Sequence, residues 1–360
     1  MSYSFGVYGP VTKETVDSLV KIGVDAVFTE PKKEFVKNAK EAGLKVYACI
    51  WVFKTPNDNV QFGVENVYGE KVFWAGSGCP NNPKIREYSI QRVKEAVNLD
   101  VTGLVLDGVR FPSLGGGLSA FLTCFCEKCQ RKSKEFGLNL THIKDHLKSF
   151  NLHNLPDFSK FLTGLLHSNI QELKDWLTFR CKSITEYVLD VKSMVKEVDS
   201  KVEVGAALFT PSLALLVGQN YGELCRILDF IQPMVYHRGD GLACINYELG
   251  RFVEECFKNE EEQIEALKIL HQTLTFESFT LPLKINDLIR LGFPLETVEK
   301  EFLKAKSSMV EGWSKLTPIL FIADLDTDGI REVIKIAREL KPDGTVYFAY
   351  NENLEKAFLG

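Results

Sequence analysis

The chain has 360 residues, of which 45% are hydrophobic and 25% are charged, and its formal net charge is −5. This composition provides a sizeable core and excludes a disordered, collagen-like or low-complexity chain. The acidic balance supplies no positive field for a nucleic acid or a membrane surface, and no apolar run approaches the ~18 residues of a membrane span. We therefore expect no nucleic-acid partner and no membrane.

The N-terminal residues and the cysteines indicate the compartment. The chain begins with neither a charged segment nor an apolar segment of the signal-peptide type. Nine cysteines, an odd number, argue against a disulfide scaffold. The sequence therefore predicts a cytoplasmic protein and leaves its oligomeric state open.

Predicted strands and helices alternate from one end of the chain to the other. The strands are nearly continuous in apolar residues, as expected for strands that are covered on both faces. The first helix begins after the N-cap Thr12, another begins at Pro83, and a long amphipathic helix covers 169–198. Eight strands are predicted, at 5–8, 24–28, 44–51, 104–106, 202–208, 230–236, 318–323 and 345–350.

This alternation predicts an α/β fold, a single (β/α)₈ TIM barrel over 1–360 with an elaborated insertion at 113–168 after the fourth strand. The alternative is a doubly wound open sheet, which usually carries a glycine-rich phosphate turn after its first strand. Tyr8-Gly-Pro offers no such turn, and Gly115-Gly-Gly117 lacks the Lys-Ser/Thr of a phosphate-binding loop. No Pro-, Ser- or Gly-rich linker separates a second domain.

In such a barrel the functional residues lie at the C-terminal ends of the strands and in the loops that follow. Carboxylates, aromatic residues and one arginine dominate these positions, a combination typical of glycosidic bond cleavage. The positions are occupied by Tyr8, Glu30, Trp51, Asp107, Arg110, Phe209, Tyr236, His237, Asp240, Asp324, Asp326, Tyr350 and Asn351.

Asp107 is the strongest candidate for a catalytic residue. It ends a strand of uncharged residues, and Gly108 after it leaves room for a ligand. Arg110 could pair with Asp107 and keep it ionised. A structural Asp–Arg pair that shapes the loop is the alternative, but the loss of solvation at a strand end favours a functional role.

A second catalytic carboxylate would come from Asp240, Asp324 or Glu30. Asp326 and Asp328 are explained by an acidic N-terminus of the next helix, which the helix dipole favours. Glu30 precedes a proline and could equally begin a helix. Tyr8, Glu30, Trp51, Arg110, Tyr236, His237 and Tyr350 are the predicted substrate-binding residues, although a lone histidine is more often structural.

A second constellation consists of cysteines. Cys124, Cys126 and Cys129 lie within six residues and can converge on one tetrahedral ion, with Cys79 as the candidate fourth ligand. Four thiolates leave no open position, so the ion would be a structural Zn²⁺. Reduced thiols or an adventitious disulfide are the alternatives. No organic cofactor is indicated.

The same segments resemble the hypothetical glycosyl-hydrolase-like barrel families. The resemblance rests first on Cys79-Pro-Asn-Asn-Pro83, Gly103-Leu-Val-Leu-Asp-Gly-Val-Arg-Phe-Pro112 and Cys124-Phe-Cys-Glu-Lys-Cys129, and then on Trp176-Leu-Thr-Phe-Arg180, Ile231-Gln-Pro-Met-Val-Tyr236 and Val346-Tyr-Phe-Ala-Tyr350. It implies a (β/α)₈ fold, a carbohydrate-active role and Asp107 as the most transferable catalytic position. The chain is more distantly similar to α-glycosidase barrels, whose acid lies on the fifth or sixth strand. The fifth strand here ends without a carboxylate.

The sequence therefore predicts a glycoside hydrolase that acts on a small-molecule carbohydrate. A carboxylate pair would lie at the C-terminal mouth of the barrel, with Asp107 as nucleophile or base and Asp324 or Asp240 as acid. The first alternative is a non-catalytic carbohydrate-binding barrel that uses the same groove. A metal-assisted hydrolase of another bond type is the second alternative.

Overall fold

Eight parallel strands close into a barrel in the computed structural model, which describes residues 5–167, 169–276 and 278–359. Each strand pairs with the next in chain order, and the last pairs with the first. The predicted (β/α)₈ barrel is thereby confirmed. The strands are β1 Phe5–Tyr8, β2 Ala26–Thr29, β3 Lys45–Trp51, β4 Gly103–Asp107, β5 Glu203–Phe209, β6 Phe230–Met234, β7 Ile319–Phe321 and β8 Thr345–Phe348.

Two short additions accompany the barrel strands. A two-residue strand, Lys315–Leu316, pairs with β6 just ahead of β7. In the loop after β3, Val64–Glu65 and Lys71–Val72 form a small antiparallel hairpin. Single-turn 3₁₀ segments lie at Pro56–Asp58, Val60–Phe62, Leu114–Gly116 and Leu215–Val217.

Helices connect the strands and cover the outside of the barrel. Thr12 caps α1 by accepting a hydrogen bond from the Thr15 amide, and Asn82 caps α3 with Pro83 in the first turn, as the sequence predicts. The helices are α1 Lys13–Lys21, α2 Lys33–Glu41, α3 Pro83–Val97, α4 Gly117–Phe121, α5 Glu127–Glu135, α6 Leu140–Lys148, α7 Leu155–Leu166, α8 Gln171–Val198, α9 Pro211–Ala214, α10 Tyr221–Leu224, α11 Ile245–Cys256, α12 Glu260–Thr273, α13 Ile285–Leu291, α14 Glu296–Ser308, α15 Thr327–Leu340 and α16 Glu352–Leu359.

Two connections are much longer than the rest. The segment predicted at 113–168 contains α4 to α7, and α8 then returns the chain to β5. The connection from β6 to β7 holds four more helices, α11 to α14. Of the helices described here, none is long and apolar enough to cross a membrane.

Aromatic rings fill the inside of the barrel below its C-terminal mouth. Phe28 stacks on Tyr47 with ring centroids 4.8 Å apart, and Tyr8 stacks on Phe28 at 5.1 Å. Gly103 provides space for this packing, because a Cβ atom there would lie 2.8 Å from the Tyr47 ring. A ligand can therefore enter the barrel interior from the mouth only as far as this aromatic layer.

Candidate active site

A pocket of about 520 Å³ opens at the C-terminal mouth of the barrel. This volume is within the range of about 300–1,000 Å³ that is common for small-molecule sites. All eight barrel strands contribute to its wall, and most of the wall is apolar or aromatic. The strand residues are Tyr8, Phe28, Thr29, Cys49, Asp107, Ala207, Met234, Ile319 and Phe348; the loops add Gly9, Pro10, Glu30, Lys32 and Tyr236, and α2 adds Phe35.

Asp107 is the only carboxylate that a barrel strand places in this wall, among the residues that the structure describes. It ends β4, and its Oδ1 accepts a hydrogen bond of 2.7 Å from the Gly108 amide. Burial raises the pKa of Asp107, whereas the Gly108 amide and the Arg110 charge act in the opposite direction. Burial prevails, so Asp107 holds its proton to a higher pH than an exposed aspartate does.

Two phenols and one thiol surround Asp107. The Tyr8 hydroxyl donates a hydrogen bond of 3.0 Å to Gln232 Oε1 across the barrel. Burial, together with the nearby Asp107 charge, raises the pKa of Tyr8, Tyr236 and Cys49. These groups therefore stay protonated, and the wall around Asp107 carries no second negative charge from them.

Four predicted site residues meet in this pocket: Tyr8, Glu30, Asp107 and Tyr236. Glu30 lies on the exposed rim, where Lys32 Nζ is 2.5 Å from its Oε2. Tyr236 packs against Phe348 with centroids 5.8 Å apart. The strand-end rule therefore predicts four residues that share one pocket.

Four predicted substrate-binding residues lie outside the pocket lining, which corrects the expectation of one shared pocket: Trp51, Arg110, His237 and Tyr350. Trp51 turns beneath Gly108 and donates a hydrogen bond of 2.8 Å to Ser77 Oγ. Burial lowers the pKa of His237 to about 4, so it is neutral near pH 7. Tyr350 is half-buried, and its amide bonds to the Tyr8 carbonyl at 3.1 Å.

Asp240 and Asp324 also lie outside the pocket lining, contrary to the expectation for Asp324. The chain leaves β7 at Phe321 and turns, so Asp324 is exposed, as is Asp240. Both carboxylates are near the Cys244 thiol, whose pKa burial and the charges of Glu248, Asp324 and Asp240 raise to about 12.

The two acidic residues after Asp324 have structural roles. Asp326 caps α15 by accepting a hydrogen bond of 2.9 Å from the Gly329 amide. The Asp328 carboxylate contacts Arg331 at 2.9 Å. Both fit the interpretation as an acidic helix N-terminus.

Arg110 does not form the expected ion pair with Asp107. Within the described chain no carboxylate oxygen lies within 4.0 Å of its guanidinium, which sits over the rings of Trp74 at 4.5 Å and Phe209 at 4.7 Å. Burial lowers the pKa of Arg110 to about 10, against the effect of Glu248 and Asp107. At that pKa Arg110 remains a cation near pH 7.

The sequence reasoning missed Glu248 and Gln232. Glu248, on α11, is fully buried and accepts hydrogen bonds from Ser113 Oγ at 3.0 Å, the Gly115 amide at 2.5 Å and the Ala243 amide at 3.0 Å. No sequence signal shows that this helical glutamate turns inward. Gln232 is a polar residue within the apolar strand β6, and that contrast could have identified it.

The four predicted cysteines converge. All four are buried, and their sulfur atoms lie within 4.8 Å of one another. Cys79 Sγ is 3.7 Å from the sulfurs of Cys124 and Cys126 and 3.5 Å from that of Cys129. The Glu65 amide donates to Cys124 Sγ at 3.3 Å. This group can bind a metal ion.

Solved structures that are similar to this chain include glycosidases at low sequence identity. A polyextremophilic β-galactosidase from the Antarctic haloarchaeon Halorubrum lacusprofundi shares 13% identity with a TM-score of 0.54, over 98% of this chain and 53% of that one. The glycoside hydrolase domain of PelA from Pseudomonas aeruginosa shares 11% identity with a TM-score of 0.46, over 98% and 96%. The chain thus spans about half the length of the β-galactosidase, and that likeness shows the barrel fold alone.

Sequence comparison gives the family. No curated protein matches the chain. The model of one family, described as "Putative glycosyl hydrolase domain" (DUF4015), matches residues 8–271, which is more than half of the chain. The chain therefore belongs to this glycosyl hydrolase family.

Proposed function

We propose that the protein is a glycoside hydrolase and that the bond it cleaves lies beside Asp107 in the pocket at the barrel mouth. Membership of the glycosyl hydrolase family supports the reaction class. The observation that carries the proposal is a strand-end carboxyl group, in a pocket of apolar and aromatic side chains, whose pKa burial raises. Such a group suits proton transfer to a glycosidic oxygen.

The raised pKa of Asp107 supports the role of general acid. A carboxyl group that keeps its proton near the working pH can donate it to the leaving oxygen, while an ionised partner attacks or activates water. The sequence favoured the opposite role, nucleophile or base, in which an ion pair with Arg110 could keep Asp107 ionised. Without that ion pair, burial decides the protonation of Asp107.

Glu30 is our candidate for the second carboxylate. It lines the same pocket as Asp107, and Lys32 Nζ lies 2.5 Å from its Oε2. Asp240 and Asp324 remain alternatives, because they lie on the β6 and β7 side of the mouth beside Cys244.

The remaining wall offers contacts that suit a sugar ring. Phe35 and Phe348 are half-buried and present apolar surface, on which the C–H face of a sugar can stack. The buried Thr29 hydroxyl lines the pocket and has no hydrogen-bond partner among the described residues. A substrate hydroxyl could supply that partner.

We also propose that the four cysteines bind a structural Zn²⁺. A regular tetrahedron with Zn–S bonds of about 2.3 Å has sulfur–sulfur distances of about 3.8 Å. The distances from Cys79 to the other three sulfurs are 3.5–3.7 Å, so the residues fit the ion. Four thiolates close the coordination shell, and the ion would join the loop after β3 to the loop before α5.

The catalytic proposal is tested with α- and β-linked aryl glycosides on the wild-type protein and single variants. We expect Asp107→Asn and Glu30→Gln to lower kcat by about 10²–10⁴-fold. Asp328→Asn, at an exposed carboxylate on the outside of the barrel, is the matched control. Asp240→Asn and Asp324→Asn test the alternative partners, and a large loss in either would replace Glu30.

The leaving group distinguishes an acid from a nucleophile. A 2,4-dinitrophenyl glycoside needs little protonation of its leaving oxygen, so Asp107→Asn should hydrolyse it far better than an alkyl glycoside if Asp107 is the acid. An equal loss on both substrates would indicate a nucleophile. Wild-type rates in Asp107→Asn would contradict the proposal, and sugar binding without any hydrolysis would favour the non-catalytic barrel.

A further inference from the structure

The guanidinium of Arg110 is held in an aromatic box at the barrel mouth. Its central carbon lies 4.5 Å from the Trp74 ring centroid, 4.7 Å from that of Phe209 and 5.6 Å from that of Trp51. Trp51 ends β3 and Phe209 ends β5, on either side of the β4 end that carries Asp107. The box is therefore beside the reacting carboxyl group.

The side chain of Arg110 is buried without an acceptor. The residue is 6% exposed, its Nη1 has no hydrogen-bond partner, and none of its side-chain nitrogens bonds to any residue in the described ranges. Buried donors nearly always have partners in folded proteins, because an unpaired donor loses its hydration without replacement. The buried, unpaired Nη1 of Arg110 therefore points to an acceptor that a ligand supplies.

The two carboxyl groups near Arg110 accept hydrogen bonds from other groups. Asp107 Oδ1 accepts the Gly108 amide, and both oxygens of Glu248 accept hydrogen bonds from the Gly115, Ser113 and Ala243 groups. Burial also raises the pKa of Asp107 and of Glu248, which lessens the repulsion that a second anion would meet. Neither carboxyl group therefore pairs with the Arg110 guanidinium, which can bind an anionic group of a ligand.

We infer that Arg110 forms a subsite for an anionic group of the substrate, so that the enzyme acts on acidic sugars. The planar fork of arginine matches the oxygens of a carboxylate, sulfate or phosphate, and the aromatic faces around it hold the fork in one orientation. The inference rests on the proposed glycosidase function and names its substrate class. It also explains why an arginine that does not pair with Asp107 stands beside it.

The inference is tested by binding, with Trp51 and Trp74 as fluorescent reporters beside the guanidinium and calorimetry as a second readout. The probes are matched pairs that differ at one carbon: glucuronate against glucose, and galacturonate against galactose. Glucose 6-phosphate and glucose 6-sulfate identify which anion is preferred. We expect the wild-type protein to bind at least one anionic sugar about tenfold or more tightly than its neutral counterpart.

Variants assign that preference to Arg110. Arg110→Gln should bind anionic and neutral sugars equally, and Arg110→Met, which keeps more of the apolar packing in the box, provides a second variant if the first folds poorly. Arg226→Gln removes the same charge from an exposed arginine over Trp313 and should keep the preference. A wild-type protein without preference for any of these anions, or a preference that persists without Arg110, would overturn the inference.

The outcomes separate this inference from the proposed function. If Asp107→Asn loses hydrolysis while the Arg110 variants bind like wild type, the glycosidase assignment stands and the anionic subsite fails. If the Arg110 variants lose the anion preference while Asp107→Asn hydrolyses at the wild-type rate, the subsite stands and the role of Asp107 fails.

Discussion

Replacing Cys79 by serine removes the proposed zinc ligand that would connect the loop after β3 to the three cysteines at the start of α5. Cys79 and Cys124 are 45 positions apart in the chain. A cross-link that closes a loop of this length stabilises a fold by about 4 kcal/mol in the chain-entropy relation. The unfolding entropy is about 2.1 cal/mol/K per residue, or about 0.76 kcal/mol/K for 360 residues. The melting temperature should therefore fall by about 5 °C.

The assay combines metal analysis with calorimetry. Wild-type protein purified without chelators should contain about one zinc per chain, and Cys79→Ser should contain much less. Metal-free wild-type protein, prepared with a strong chelator, should melt close to the Cys79→Ser variant. Cys256→Ser replaces a buried thiol outside the cluster and measures the cost of a buried hydroxyl without loss of a ligand.

The reasoning would be refuted by a wild-type protein that contains no zinc and melts at the same temperature with and without the chelator. The cysteines would then be reduced thiols, and packing alone would hold the two loops together. A loss in Cys79→Ser no larger than in Cys256→Ser would lead to the same conclusion.

Two further predictions concern the end of β4. Gly108→Ala should destabilise the fold by about 1–3 kcal/mol in denaturant unfolding, because φ is +62° there and a Cβ would lie 2.8 Å from the Trp51 ring. Gly137→Ala, at φ +73° with open space around it, should lose less free energy of unfolding. Equal losses in the two variants would contradict a steric clash between a Cβ at position 108 and the Trp51 ring. Asp107→Asn should gain thermal stability relative to wild type as the pH rises from about 3 to 7, as measured by melting curves across that range.

The barrel could be predicted because buried parallel strands leave a clear pattern. The prediction for β3, 44–51, differs from the observed Lys45–Trp51 by one residue, since the apolar run and the strand coincide. The prediction for β6 extended to Tyr236, but the ladder ends at Met234. Val235 and Tyr236 are apolar because the loop that follows is buried too, and composition alone does not distinguish a buried loop from a strand.

Site residues could be predicted from the sequence only where their position along the chain, at a strand end or within a short motif, indicates their role. The pocket positions of Tyr8 and Asp107 follow from the strand ends, and the cysteine group was predicted because three of its members lie close together in the chain. Glu248 was missed because its burial depends on the Ser113 and Gly115 loop, which is more than 130 positions away in the chain. Contacts of that kind are set by the folded packing and leave no local pattern.

The pKa of Asp107 is the clearest case in which the sequence and the structure disagree, because they predict shifts in opposite directions. An ion pair with Arg110 would lower the pKa of Asp107 in the folded state, and the wild-type protein would then gain stability over Asp107→Asn as the pH rises. The structure has no such pair, and burial raises the pKa. Between the unfolded and folded pKa values the folded protein then binds more protons than the unfolded chain, so wild-type stability falls as the pH rises through that range. Asp107→Asn lacks this dependence, so the direction in which its melting temperature diverges from wild type decides whether a salt bridge or burial controls the proton.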